Sequence, residues 1–189
     1  MRFPAPLRRS AFDHAIQQLR DGRPGESGYG RRIALLLTLP AFDDPIARDV
    51  RRSVTGQLYV VRTVWNRALD LATTSFRREI RVGVGNRPTM VGVDLASFRS
   101  PSLTSTQLPV DAEALDRLLE SVANASVPCR PHQPEPPLDA TVLELTFGEE
   151  LSETRYRWHG DGPPEWAPLA TFAAGLIRLV EHPAAAAAR

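Results

Sequence analysis

The residues best equipped for chemistry lie close together near the end of the chain, in Arg155-Tyr156-Arg157-Trp158-His159-Gly160-Asp161-Gly162. His159 and Asp161 could act as a general base and the carboxylate that orients it, the pairing used in hydrolytic dyads and triads. They stand two residues apart in a glycine-flanked segment with no nucleophile beside them, and the same residue types suit a tight turn. Arg155 and Arg157 offer different chemistry. On a strand they project from one face, where each guanidinium can grip a carboxylate through two parallel hydrogen bonds. The carboxylate could be Glu144 on a neighbouring strand, or it could belong to an acidic partner outside the fold.

Other motif-like spacings fall short of a site. Cys129 and His132 supply C-x-x-H, half of a zinc site, but a closed site needs four ligands and no second pair stands at a compatible spacing. Gly25 to Gly30, followed by Arg31 and Arg32, departs from the phosphate-binding loop G-x-x-x-x-G-K-[ST]: Arg replaces Lys, no Ser or Thr follows, and an apolar run comes next in place of a helix start. Gly83, Gly85 and Pro88 read as a turn between strands. No metal and no cofactor is expected.

The chain has 189 residues, enough for one domain with a real core. Its 23 basic and 22 acidic side chains leave a net charge of +1, which argues against a broad electrostatic footprint for nucleic acid or an anionic membrane. Every basic residue is Arg, a side chain suited to bidentate carboxylate or phosphate contacts; a GC-rich gene would give the same bias. A nucleic-acid reading would use Arg31, Arg32, Arg51, Arg52, Arg77 and Arg78 with Tyr59 or Trp65 for stacking. Asp43, Asp44, Asp49 and Glu79 lie close to these and point instead to salt-bridged faces. The single Cys129 excludes an internal disulfide and suits a reducing cytoplasm. No apolar segment approaches the roughly 18 residues of a membrane span, so a cytoplasmic protein without a membrane partner is expected.

Periodicity supplies the elements. Ser10 can cap a helix carrying Phe12, Ile16 and Leu19, with His14 and Gln17 on its polar side. Ile33 to Leu39 is a short apolar run of strand or helix, and residues 43–54 could open a short helix near Pro45. Residues 57–65 alternate as a strand, with Leu58, Val60, Arg62 and Val64 on one face and Tyr59, Val61, Thr63 and Trp65 on the other. Ile80 to Val84 and Thr89 to Leu95 suggest two paired strands. Asp111 caps a helix with the stripe Leu115, Leu118, Leu119 and Val122, which Asn124 can end. Residues 142–147 and 154–158 form a hairpin whose Thr154, Tyr156 and Trp158 face inward, and a terminal helix runs from Trp166 to about Glu181. Strands that cluster in this way predict an α+β fold, an antiparallel sheet with helices packed mainly on one face. Residues 1–30 make an N-terminal helix and flexible loop belonging to the same domain, 31–182 the single α+β domain, and 183–189 a frayed tail.

Phe147-Gly148, Arg155 to Trp158, the Pro163-Pro164 pair, Trp166 and Pro168-Leu169 resemble the C-terminal quarter of a loose group of small bacterial uncharacterised and immunity-like proteins, some encoded beside toxins. The resemblance implies a non-catalytic protein binder, an immunity protein that occludes a toxin, and carries over no active-site residue. Trp, Tyr and Arg are the residues that dominate binding hot spots. The expected binding residues are therefore Arg155, Arg157, His159 and Asp161, with Arg62 and Trp65 from the strand over 57–65. Two rival readings are a small hydrolase using His159 with Asp161, or His14, and an Arg-rich nucleic-acid-binding accessory protein.

Overall fold

The computed structural model describes residues 5–21, 30–67, 70, 101–129, 131, 137, 139–148 and 152–181, with backbone alone for 5–11. Within them run helix α1 (Ala5–Asp21), strands β1 (Arg31–Leu39), β2 (Ile46–Arg52), β3 (Leu58–Trp65) and β4 (Leu103–Leu108), helix α2 (Ala112–Ala123), and strands β5 (Val142–Phe147) and β6 (Thr154–His159). A single 3-10 turn, Pro164–Trp166, then leads into helix α3 (Ala167–Glu181). The strands form one six-stranded sheet in the order β4-β3-β2-β1-β5-β6, antiparallel at every junction. This is the α+β class with an antiparallel sheet that the strand clustering predicts.

The apolar run of β1 explains why this strand is central. Side chains alternate between faces, so Ala34 and Leu36 go one way and Leu35, Leu37 and Leu39 the other, and both sets need cover. Ala34 and Leu36 join Val50, Val60, Leu145 and Trp158 beneath Leu115 of α2 and Phe172, Leu176 and Val180 of α3. Leu35, Leu37 and Leu39 join Ala47, Trp65 and Leu103 beneath Ala15, Ile16 and Leu19 of α1. Two helices thus share one face while α1 covers the other. Burying each large aliphatic side chain contributes about 1.5–3 kcal/mol.

Local signals place several elements well. Asp111 Oδ1 accepts from the N–H groups of Glu113 and Ala114 at 3.0 and 3.1 Å and so caps α2, which ends at Asn124. Two expectations need correction. Residues 46–52 are strand β2, not a helix, because β1 and β3 satisfy its backbone on both sides. Ser10 lies inside α1 and is not its cap: the helix starts at Ala5, with Pro6 in the first turn where no N–H is needed. The strands expected over 80–95, the loop over 25–29 and the tail over 183–189 lie outside the described residues.

The end of α3 is tied to the sheet by charge. Glu181 sits at the negative end of the helix dipole, an unfavourable place for a carboxylate unless cations answer it. Arg48, 3% exposed on β2, donates to Glu181 Oε1 from Nη2 at 2.6 Å and to Thr38 Oγ1 at 2.9 Å, and Arg62 Nε reaches the same carboxylate at 3.3 Å. Burial pushes the Glu181 carboxyl up, but the hydrogen bond and charge of Arg48, with the charge and hydrogen bond of Arg62, outweigh it and hold its pKa below the ordinary value. A carboxyl depressed in the folded state stabilises above its unfolded pKa, and that contribution is lost as pH falls through the folded value. Wild type should therefore lose stability below about pH 4.5, and Glu181→Gln should flatten that acid limb of Tm against pH. The difference should be on the order of 1 kcal/mol, because 29% of the Glu181 side chain remains exposed.

Candidate functional site

Strand β6 is an outer strand, and its two faces do different work. In the hairpin with β5, Leu145 faces Tyr156 and Leu143 faces Trp158, which places these aromatics on the side of α2 and α3. Trp166 closes the group, edge-on to Tyr156 at 5.3 Å and to Trp158 at 6.1 Å between ring centroids. Such aromatic contacts add about 0.5–1.5 kcal/mol each beyond the area that they bury. The turn after β6 folds onto the indole: Gly162 has φ +77°, and a Cβ there would lie 2.7 Å from Trp158 Cδ1. Only glycine meets both demands without strain.

Arg155, Arg157 and His159 occupy the opposite face of β6. Gly160 N–H donates to the Thr141 carbonyl at 3.3 Å, and antiparallel ladders alternate inward and outward backbone groups. The backbone N–H and C=O groups of Arg155 and Arg157 and the N–H of His159 therefore point outward, away from β5. Arg155 keeps 44% of its side chain exposed and lies 3.6 Å from Glu144 Oε1 and 3.4 Å from Glu153 Oε2. The cross-strand pairing with Glu144 thus exists, but Glu144 is no surface acid. It is 1% exposed beneath α1, and Arg20 grips it with Nε and Nη2, each at 2.7 Å. That hydrogen bond raises the Arg20 pKa against the opposing effect of burial.

The same face holds a second paired acid. Asp49 on β2 accepts Arg32 Nε and Nη2, each at 3.0 Å, and Arg51 Nε at 2.8 Å, while Arg32 Nη1 donates to the carbonyl of Arg20 at 2.8 Å. Arg32 and Asp49 pair as the salt-bridged face that the sequence favoured over nucleic-acid contact, whereas Arg20 and Thr146 were not among the expected site residues. Their signal was present in part, since a strand as apolar as β1 on both faces implies a helix on each side. Glu144 of β5 then takes its partner from that helix, and Asp49 of β2 takes its own from β1 and β2.

The six expected residues are not all brought together. Arg155, Arg157 and His159 share one face of β6, with Asp161 exposed in the turn that follows. Trp65 and Arg62 stand on β3, four strand positions away, or about 19 Å at the usual strand spacing. Trp65 is 6% exposed, packs edge-on against Phe12 and donates its indole N–H to Asp70 at 2.6 Å, so it presents no ring for stacking. Arg62 is on the face that α2 and α3 cover and engages Glu181. His159 and Asp161 lie in the turn that Gly162 N–H closes by donating to the His159 carbonyl at 3.1 Å, and among the described residues no hydrogen bond joins their side chains. His14 is exposed on α1, with Nε2 3.2 Å from Gln18 Nε2. Cys129 is exposed and His132 lies outside the described residues. Among the described residues no group of three His, Cys, Asp or Glu is placed to hold a metal, and no helix is long and apolar enough to cross a membrane.

No protein-family model matches the chain, and neither a curated protein nor a solved structure matches it.

Proposed function

We propose that this chain is a non-catalytic protein-binding domain that docks an acidic segment of another protein along the outer edge of β6. The toxin-occluding immunity protein suggested by its C-terminal residue pattern is the form of this role that we favour, set in the cytoplasm. The observation that carries the reading is the coincidence, on one strand, of outward N–H and C=O groups at Arg155 and Arg157 and the outward N–H of His159 with the guanidinium row of Arg155 and Arg157. An extended partner strand would take the backbone groups as an added strand, and its acids would meet the guanidiniums. The packed Tyr156, Trp158 and Trp166 hold that edge in one shape, so little ordering cost falls on this side of the interface.

Affinity capture from the native cell extract, repeated with Arg157→Glu, tests the reading. Wild type should retain a stoichiometric protein whose binding weakens at least about tenfold on charge reversal, with far-UV circular dichroism unchanged. Retention of no such protein, or equal retention by both forms, would overturn it.

A further inference from the structure

We infer a second site beside the β6 edge, sharing Arg155 with it: a pocket for one small oxyanion, between the end of α1 and the sheet face that α1 covers. A cavity of about 110 Å³ lies there, lined by Arg20, Arg32, Arg155, Thr146 and Leu35, with Asp21 and Glu153. That is the space of about three or four waters, enough for a single phosphate or carboxylate group and too little for a nucleotide.

Spare donors define the ligand. A guanidinium carries five N–H bonds. Arg20 commits Nε and Nη2 to Glu144, Arg32 commits Nε and Nη2 to Asp49 and Nη1 to the Arg20 carbonyl, and Arg155 makes one long bond, 3.4 Å, to Glu153. Each of the three keeps N–H groups beyond these. Most acceptors nearby are engaged, the exception being Glu153, which takes only the 3.4 Å contact from Arg155. Both Glu144 oxygens take Arg20, both Asp49 oxygens take arginines, and both Asp21 oxygens accept Gln17 Nε2, at 2.8 and 3.0 Å. Arg32, by binding the Arg20 carbonyl, also answers the negative end of α1, which would otherwise repel an anion.

Thr146 gives an independent pointer. It is 2% exposed as a residue and lines the cavity, and its hydroxyl oxygen is not among the fully buried atoms left without a partner, so it opens onto that space. A donor-rich wall with a hydroxyl open to it fits an oxyanion better than water, because water brings as many donors as acceptors and an oxyanion brings acceptors alone. Charge-assisted bonds from Arg to phosphate or carboxylate are also the stronger kind.

Inorganic phosphate is the probe, titrated against the full chain by calorimetry and by 31P line broadening, with chloride holding ionic strength constant. One saturable site per chain is expected. Arg155→Gln and Thr146→Val should each weaken it at least about fivefold, with Tm in chloride close to wild type. Arg157→Glu should leave phosphate affinity unchanged while it weakens protein capture at least about tenfold, so the pocket and the β6 edge stand or fall separately. A linear response without saturation, or equal affinity in wild type and both pocket variants, would overturn the site and leave the cavity to water.

Discussion

Glu144→Ala is expected to lower the unfolding free energy by about 3 kcal/mol, near the bottom of the range for breaking a buried ion pair. Glu144 is 1% exposed, while Arg20 keeps 21% of its side chain exposed. The orphaned guanidinium can therefore recover part of its hydration, which holds the cost to the lower end. The lost bonds are the two 2.7 Å contacts that fasten the last turn of α1 to β5, so α1 should also become a preferred site of limited proteolysis. Arg20→Met combined with Glu144→Met removes both charges and should cost less than Glu144→Ala alone. Urea unfolding of the three proteins, compared at equal m, reads these differences directly. A loss under about 1 kcal/mol for Glu144→Ala would mean that Ala15, Ile16 and Leu19 hold α1 without help from charge.

The elements that could be read from the sequence are those whose cause is local. The alternation of β5 and β6, the Asp111 cap and the terminal helix ending at Glu181 each depend on neighbours within a turn or a hairpin, and all stand as expected. Strand β2 could not be read in this way. Its Ile46, Arg48 and Val50 alternate with Ala47, Asp49 and Arg51, so charges fall on both faces and the pattern resembles neither a half-buried strand nor a clear helix. Those charges make sense only through distant partners: Arg48 meets Glu181, 133 positions along the chain, and Asp49 meets Arg32 across the sheet. Glu144 misleads for the same reason. Alternation assigns it to a polar face, and only the docking of α1 shows that this face is buried. The site was therefore legible as a row of arginines on β6 with Glu144 as a cross-strand partner, but the burial of that acid and the hydroxyl beside it were not.

Trp158→Ala is expected to cost about 4 kcal/mol, within the range for deleting a buried aromatic side chain, whereas Trp158→Phe should cost no more than about 1.5 kcal/mol, the range of the mildest core trimming. The contrast rests on the indole N–H. Trp158 is 2% exposed and its Nε1 has no hydrogen-bond partner among the described residues. Phenylalanine keeps most of the ring contact with Trp166 and the Gly162 turn while removing a donor that is desolvated without return. Trp166 differs in this respect, since its Nε1 donates to the Pro128 carbonyl at 2.8 Å. Trp166→Phe gives up that bond as well as ring area, so it should destabilise more than Trp158→Phe. Differential scanning calorimetry on the three variants gives the order Trp158→Ala, Trp166→Phe, Trp158→Phe from most to least damaging. If Trp158→Phe proved as costly as Trp166→Phe, the Trp158 N–H would have a partner after all, and the aromatic packing behind β6 would owe its rigidity to a polar contact as well as to ring area. With the expected order, ring packing and the single Trp166 hydrogen bond to Pro128 fix the shape of the edge, and a substitution there should weaken partner capture only in proportion to the fold that it loses.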